Sequence, residues 1–193
     1  DVARDVARAV AMFEHRGCVC PHVVFVEFGG DTVAEGFAEL VADALDGLAS
    51  EWPSAAEPDF RAIEAAALRQ ARGTVEIHEA AGAVRVLHGG AANWTVVYES
   101  GLADVPALPG RSVRISAVDD LSDVPAILGP AGRHLQSVGY AGVEGRIVEL
   151  AEAFGRAGAS RMVPFAGTSF PPAWWLHDGR GPLETLVRRV EVG

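Results

Sequence analysis

The chain has no lysine: all 16 of its basic residues are arginine, set against 26 aspartates and glutamates. That excludes a Schiff-base lysine and a P-loop lysine from these 193 residues. The arginine bias itself reads as a GC-rich coding preference. Cysteine is nearly as scarce, with only Cys18 and Cys20, one residue apart. Two such neighbours cannot form a disulfide framework, and a reducing cytoplasm is the simplest home for them. No apolar run approaches the roughly 20 residues that a membrane-spanning helix needs. No secretory signal is visible, because the N-terminus reads as a charged amphipathic helix. Neither G-x-G-x-x-G nor G-x-x-x-x-G-K-[ST] occurs, so no nucleotide fingerprint is present. A formal net charge of −10 repels phosphates and argues against nucleic acid as a partner. With 49% hydrophobic and 22% charged residues, the composition is that of a globular domain.

Against these absences stands one dense stretch, Arg16-Gly17-Cys18-Val19-Cys20-Pro21-His22, followed by the apolar run Val23 to Phe28. It lies between a helical and a strand pattern, in a turn flanked by Gly17 and Pro21. A thiol on such a turn is held rigidly from both sides while its backbone amides stay free for a ligand. Cys18 is therefore read as a nucleophile, able to take an acyl group as a thioester. The alternative is a small buried apolar side chain. His15, Cys18, Cys20 and His22 are all metal-ligand types, but the cysteines are closer than in structural zinc sites and no second pair exists. No metal is expected.

Other motifs weigh less. Gly29-Gly30 reads as a plain turn. Trp174-Trp175-Leu176-His177-Asp178-Gly179 pairs a histidine with an aspartate beside two tryptophans. It reads either as a base at an apolar entrance or as a surface loop with aromatics folded onto the core. Asp119-Asp120 reads as a solvated face.

Periodicity orders the rest. Val2, Val6, Val10 and Phe13 predict an amphipathic helix stopping near Gly17, and Val23 to Phe28 a buried strand. Thr32 and Glu35 suggest a capping box, opening a helix with Val33, Phe37, Leu40, Val41, Ala44, Leu45 and Leu48 inward. Pro58 opens a second helix that Gly73 ends. Strands are expected over 74–78, 83–87, 94–99, 112–118, 134–140 and 161–165. A short helix and turn are expected over 119–132, and a helix from Val143 that Gly158 closes. An aromatic loop covers 170–181, and Pro182 opens a last helix. Alternating helices and strands predict an α/β domain with a mixed or mainly parallel sheet, a single unit over 1–193. The start at Asp1, inside a helical pattern and without Met, predicts a piece of a longer protein.

Several stretches carry a resemblance. They are Ala7 to Glu27 around Gly17-Cys18-Val19-Cys20-Pro21, Asn93 to Glu99, Leu135-Gln136-Ser137-Val138-Gly139, and Ser160 to Pro164 through Trp175-Leu176-His177-Asp178-Gly179 to Arg188. In this order they resemble the C-terminal, cysteine-bearing half of an acyl-CoA reductase. That is the family of the reductase subunit of the bacterial luminescence fatty acid reductase, in the aldehyde dehydrogenase superfamily. The resemblance implies an aldehyde dehydrogenase-type catalytic domain in which Cys18 attacks an acyl thioester, of CoA or an acyl carrier protein. NADPH, or NADH, would then reduce the acyl-enzyme to an aldehyde. The cofactor would be bound mainly by a preceding domain absent from this chain. His22, Trp175 and His177 are assigned to the substrate pocket, and a homo-oligomer or a reductase complex is expected. The family often has Gln where His15 stands and Ser where Cys20 stands. Rival readings are another aldehyde dehydrogenase-type oxidoreductase, oxidising aldehydes or reducing acyl phosphates, and a non-enzymatic scaffold or metal-binding module.

Overall fold

A computed structural model describes residues 1–27, 33–53, 66, 73–82, 84–89, 94–99, 108–181, 184, 186 and 190–191. Its central sheet has four strands: β1 (Val23–Glu27), β2 (Val84–Gly89), β3 (Trp94–Glu99) and β4 (Arg111–Val118), in the order β1-β4-β3-β2. The β1–β4 and β4–β3 pairs are parallel, and β2 pairs antiparallel to β3. A second sheet pairs β5 (Ser137–Tyr140) in parallel with β6 (Arg161–Pro164). The fold is α/β, with a mostly parallel main sheet flanked by helices.

Helices α1 (Val2–Ala11) and α2 (Ala34–Glu51) pack on the main sheet. Val6, Val10, Val41 and Leu45 of these helices are fully buried with Val96 and Ile115 of the sheet. Each such side chain contributes about 1.5–3 kcal/mol by leaving water. A separate core joins α4 (Val124–Leu128) and α5 (Ile147–Ala157) to β5 and β6. Gly158 ends α5 in the left-handed conformation, with φ of 119°.

Several expectations are corrected. Residues 73–80 are helical (α3), not a strand, and Gly73 lies inside that helix. His78 Nδ1 donates to the Thr74 carbonyl at 2.8 Å, one turn back. Helix α1 does not carry Phe13 inward: Phe13 is 50% exposed, and the chain leaves helical geometry there. On α2 the inward stripe is shifted, running through Ala34, Ala38, Val41, Ala42, Leu45 and Leu48, with Val33 and Leu40 exposed. The small alanines let α2 lie close to α1 and the sheet. Val33, not Thr32, is the N-cap, and Glu35 reaches Arg85 on β2 at 2.7 Å instead of closing a capping box. On β1 only Val24 is fully buried, as suits an edge strand. Asp120 is not merely solvated: it accepts from the Ser122 amide and pairs with Arg146, which also holds Glu27. Of the last helix, residues 184 and 186 lie in turns, and Leu186 and Val190, expected inward, are exposed. Thr32, the Gly29-Gly30 turn and the rest of that helix lie outside the described residues. So do the predicted helix from Pro58, apart from helical residue 66, and Phe28.

Candidate active site

Three consecutive residues that are not glycine, Phe13, Glu14 and His15, have φ of 60°, 51° and 60°. An L-residue in that region costs roughly 1–2 kcal/mol, so neighbouring bonds must hold the segment in place. Three side chains supply them. Arg111 on β4 donates to Glu14 Oε1 through Nε at 3.1 Å and Nη2 at 2.7 Å, and through Nη1 to the Trp52 carbonyl at 2.6 Å. His15 Nε2 donates to the Pro21 carbonyl at 2.8 Å. Cys20 Sγ donates to the Met12 carbonyl at 3.3 Å. The left-handed bend and its ties hold both ends of the segment that carries Cys18.

Within that segment the Cys20 amide donates to the Gly17 carbonyl at 3.0 Å, closing a four-residue turn with Cys18 and Val19 at its tip. A turn of this kind leaves its two central amides without backbone acceptors. Among the described residues neither the Cys18 nor the Val19 amide has one. A Cβ at Gly17 would lie 3.0 Å from Phe13 Cδ2 and 3.4 Å from Cys20 Sγ, so the Phe13 ring would have to shift to admit it.

The two thiols differ sharply. Cys18 is exposed and Cys20 is buried. Burial pushes the Cys20 thiol pKa up, and the hydrogen bond from the Gly17 region only partly opposes this. Cys20 thus stays a protonated structural group, whereas Cys18 stands at the edge of a cavity of about 270 Å³. The cavity lies where edge strand β1 meets β5, roofed by α4 and α5. Cys18, Pro21 and His22 line one part of it, and Phe25, Val124, Val138, Leu150, Phe154 and Met162 another. Sequence periodicity put Phe25 in a buried strand and Leu150 and Phe154 in a patterned helix. That they border a space reaching a thiol depends on the meeting of two sheets, which no local pattern reports.

His22 lines the cavity, and its ring packs 4.3 Å from that of His15. Loss of water around the ring, with repulsion from His15, pushes the His22 pKa below its ordinary value. His22 is therefore a neutral imidazole at neutral pH and can accept a proton. His15 gives its Nε2 proton to Pro21, and its Nδ1 has no partner among the described residues.

Trp175 and His177 do not line the cavity but are tied to it by Gln136, which does. Gln136 Nε2 donates to Asp178 Oδ1 at 2.7 Å and lies 3.3 Å from His177 Nε2. His177 Nδ1 lies 3.1 Å from Asp178 Oδ2, so the proton sits on Nδ1 and Nε2 accepts from the glutamine. The Gln136 bond, more than His177, holds the Asp178 carboxyl below the usual range. The Trp175 ring packs at a tilt against His177, centroids 4.8 Å apart, with the Arg161 guanidinium 5.6 Å from its ring centroid. Sequence reasoning did not single out Gln136 as a site residue.

No group of three or more His, Cys, Asp or Glu side chains able to hold a metal ion occurs among the described residues. The turn between β4 and α4 does not suit a pyrophosphate. It presents Asp119, Asp120 and Asp123, and the Asp120 carboxylate already occupies the Ser122 amide. A pyrophosphate would meet negative charge where it needs free amides. Among the described residues no helix is long and apolar enough to cross a membrane. The model of a protein family described as acyl-CoA reductase (LuxC) matches residues 1–189. No curated protein matches the chain.

Proposed function

The chain belongs to the acyl-CoA reductase (LuxC) family, and from that premise we propose that it reduces an acyl thioester to an aldehyde through an acyl-enzyme on Cys18. Membership carries the coarse activity, that of an acyl reductase. The observation that supports the finer reading is the exposed Cys18 on a braced turn at the edge of an apolar cavity of about 270 Å³.

The mechanism follows from these groups. His22 takes the thiol proton, and the Cys18 sulfur attacks the acyl carbonyl carbon of a CoA or acyl-carrier thioester. The carbonyl oxygen becomes an oxyanion, held by the Cys18 amide at the turn tip. The carbon–sulfur bond to the carrier breaks, and the carrier thiolate leaves with the proton from His22. A new thioester on Cys18 remains, with its chain against the cavity wall. A nicotinamide cofactor, NADPH or NADH, would supply the hydride that turns this thioester into the aldehyde. We assign the binding of that cofactor mainly to a separate cofactor-binding domain, as the resemblance to the family implies. The bracing of residues 13–20 fits such a reaction, because a nucleophile displaced by an ångström loses much of its rate.

Product analysis with the full-length protein tests this reading. Acyl-CoA with NADPH should give aldehyde and free CoA. A protein that only oxidised aldehyde with NAD, or reduced only acyl phosphates, would overturn it in favour of another aldehyde dehydrogenase-type reaction.

A further inference from the structure

The reaction above uses Cys18 and leaves Cys20 as a tie to the Met12 carbonyl. Yet both thiols sit on one four-residue turn, separated only by Val19. Residues two apart hold their Cα atoms at most about 7 Å from each other, even fully extended. A turn draws them closer, into the range of roughly 4.4–6.8 Å that a disulfide bridges. The Cys20 sulfur lies beside the residue that precedes Cys18, 3.4 Å from the place of a Cβ on Gly17. Burial first, and then negative charge on Cys18, raise the Cys20 pKa, so the two sulfurs are within electrostatic reach. Their access to solvent differs: Cys18 is exposed, while Cys20 is only 5% exposed. A small oxidant in solution therefore meets Cys18 first.

We propose that this turn is a peroxide-oxidation site, in which Cys18 takes the oxidant and Cys20 resolves it by closing a reversible Cys18–Cys20 disulfide. This goes beyond the acyl-enzyme reading and does not depend on it. The Cys18 sulfur attacks one oxygen of hydrogen peroxide and the O–O bond breaks. Cys18 becomes a sulfenic acid, and the thiol's proton leaves with the other oxygen as water. The Cys20 sulfur then attacks the sulfenic sulfur. An S–S bond forms, the S–O bond breaks, and the Cys20 proton leaves with the hydroxide as a second water. The two thiols lose two electrons between them, and one peroxide becomes two waters.

The bond changes the support of the turn as well as its nucleophile. A disulfide sulfur carries no proton, so the oxidised Cys20 no longer donates to Met12. One of the three side-chain ties on the left-handed Phe13–His15 segment is lost, while those from Arg111 and His15 remain. A ring closed by residues two apart is strained, which makes the bond easy to reduce. The disulfide also stops Cys18 short of the sulfinic and sulfonic acids, which dithiols do not reverse.

The test is stepwise exposure of the full-length protein to hydrogen peroxide, then alkylation of free thiols and mass measurement of the peptide carrying Gly17 to His22. The wild-type peptide should lose two hydrogens and take up no alkyl group, and dithiothreitol should restore both alkylation sites. Acyl-CoA reduction should fall over the same peroxide range and return with dithiothreitol. In Cys20→Ser the peptide should instead gain two or three oxygens, and less than about half of the lost activity should return. In the wild-type protein, amides from Met12 to Cys20 should exchange hydrogen faster after oxidation, and equal exchange would contradict the lost Met12 tie. Oxidation that leaves Cys20 open to alkylation, a disulfide between two chains, or equal recovery by Cys20→Ser overturns the inference. If the disulfide forms while acyl-CoA reduction is unchanged, the inference stands and the acyl-enzyme reading fails.

Discussion

Arg111 on β4 grips Glu14 from two sides, placing Nη2 at 2.7 Å and Nε at 3.1 Å from the same carboxylate oxygen. Arg111 is 5% exposed and Glu14 little more, so this pair is nearly dry. It joins a central strand to the left-handed bend that comes just before the Cys18 turn. Breaking a buried pair by removing one partner leaves the other charge stranded, which costs about 3–5 kcal/mol. Arg111→Met should lower stability by that amount in urea unfolding. The double variant Glu14→Met, Arg111→Met should recover most of the loss, because no lone charge remains. If Arg111→Met cost the same as the double variant, the pair would not be the brace described.

His22 carries the proton in the proposed transfer. Its pKa is pushed down by lost water and by His15. His22→Asn should slow Cys18 acylation by about a hundredfold at pH 7, the usual scale for losing a general base. At high pH hydroxide can take the proton in place of His22, and the gap should shrink toward tenfold or less. The folded pKa lies below the unfolded one, so the neutral form is favoured by the fold. Its share of stability is present above the unfolded value and is lost as pH falls through the folded value. Rates followed from pH 6 to 9 in both proteins check this, and a gap constant across the range would remove His22 from the proton path.

The Asp120 carboxyl titrates at about pH 2, held down first by the hydrogen bonds from Ser122 and then by Arg146. Its folded pKa is below the unfolded value, so its contribution to stability is present above about pH 4 and lost as pH falls toward 2. Asp120→Asn should flatten the acid limb of the stability curve over that interval, read by thermal melts at pH 5, 4, 3 and 2. An unchanged acid limb would mean that other carboxylates set it.

Gly139 sits in the β5 wall of the cavity, where a Cβ would lie 2.7 Å from Thr168 Cγ2 and 2.9 Å from Phe165 Cδ1. Thr168 is buried and also held by its bond to the Phe165 carbonyl, so it has little room to move. Gly139→Ala should destabilise by about 1–3 kcal/mol, as overpacking does. Urea unfolding measures this directly, and a neutral result would show that β5 can shift.

Particular residues show what could be read locally. Cys18 stood out because a rare residue fell in a turn between two strong periodicities, and the α/β class followed from the alternation of those periodicities. Residues 74–78 read as a strand because Val75 and Ile77 are β-branched and spaced by two, while the burial of Val75 in a helix is a tertiary effect. On α2, counting large apolar residues put Leu40 inside. Helix packing chose the alanines instead, since closeness to α1 mattered more than side-chain size. The bend at Phe13–His15 had no signal at all, because left-handed φ is held there by Arg111, nearly a hundred residues away. Gln136 likewise gains meaning only when Asp178 and His177 arrive beside it.

The central claim is that the Cys18 sulfur carries the acyl group. The most direct measurement is the mass of the intact full-length protein, and of its peptides, after brief exposure to decanoyl-CoA without reductant. One decanoyl group should appear on the peptide containing Cys18, labile to neutral hydroxylamine as a thioester is, released as aldehyde on adding NADPH, and absent from Cys18→Ala. An acyl group found on Cys20 or elsewhere, or full aldehyde production by Cys18→Ala, would contradict the account.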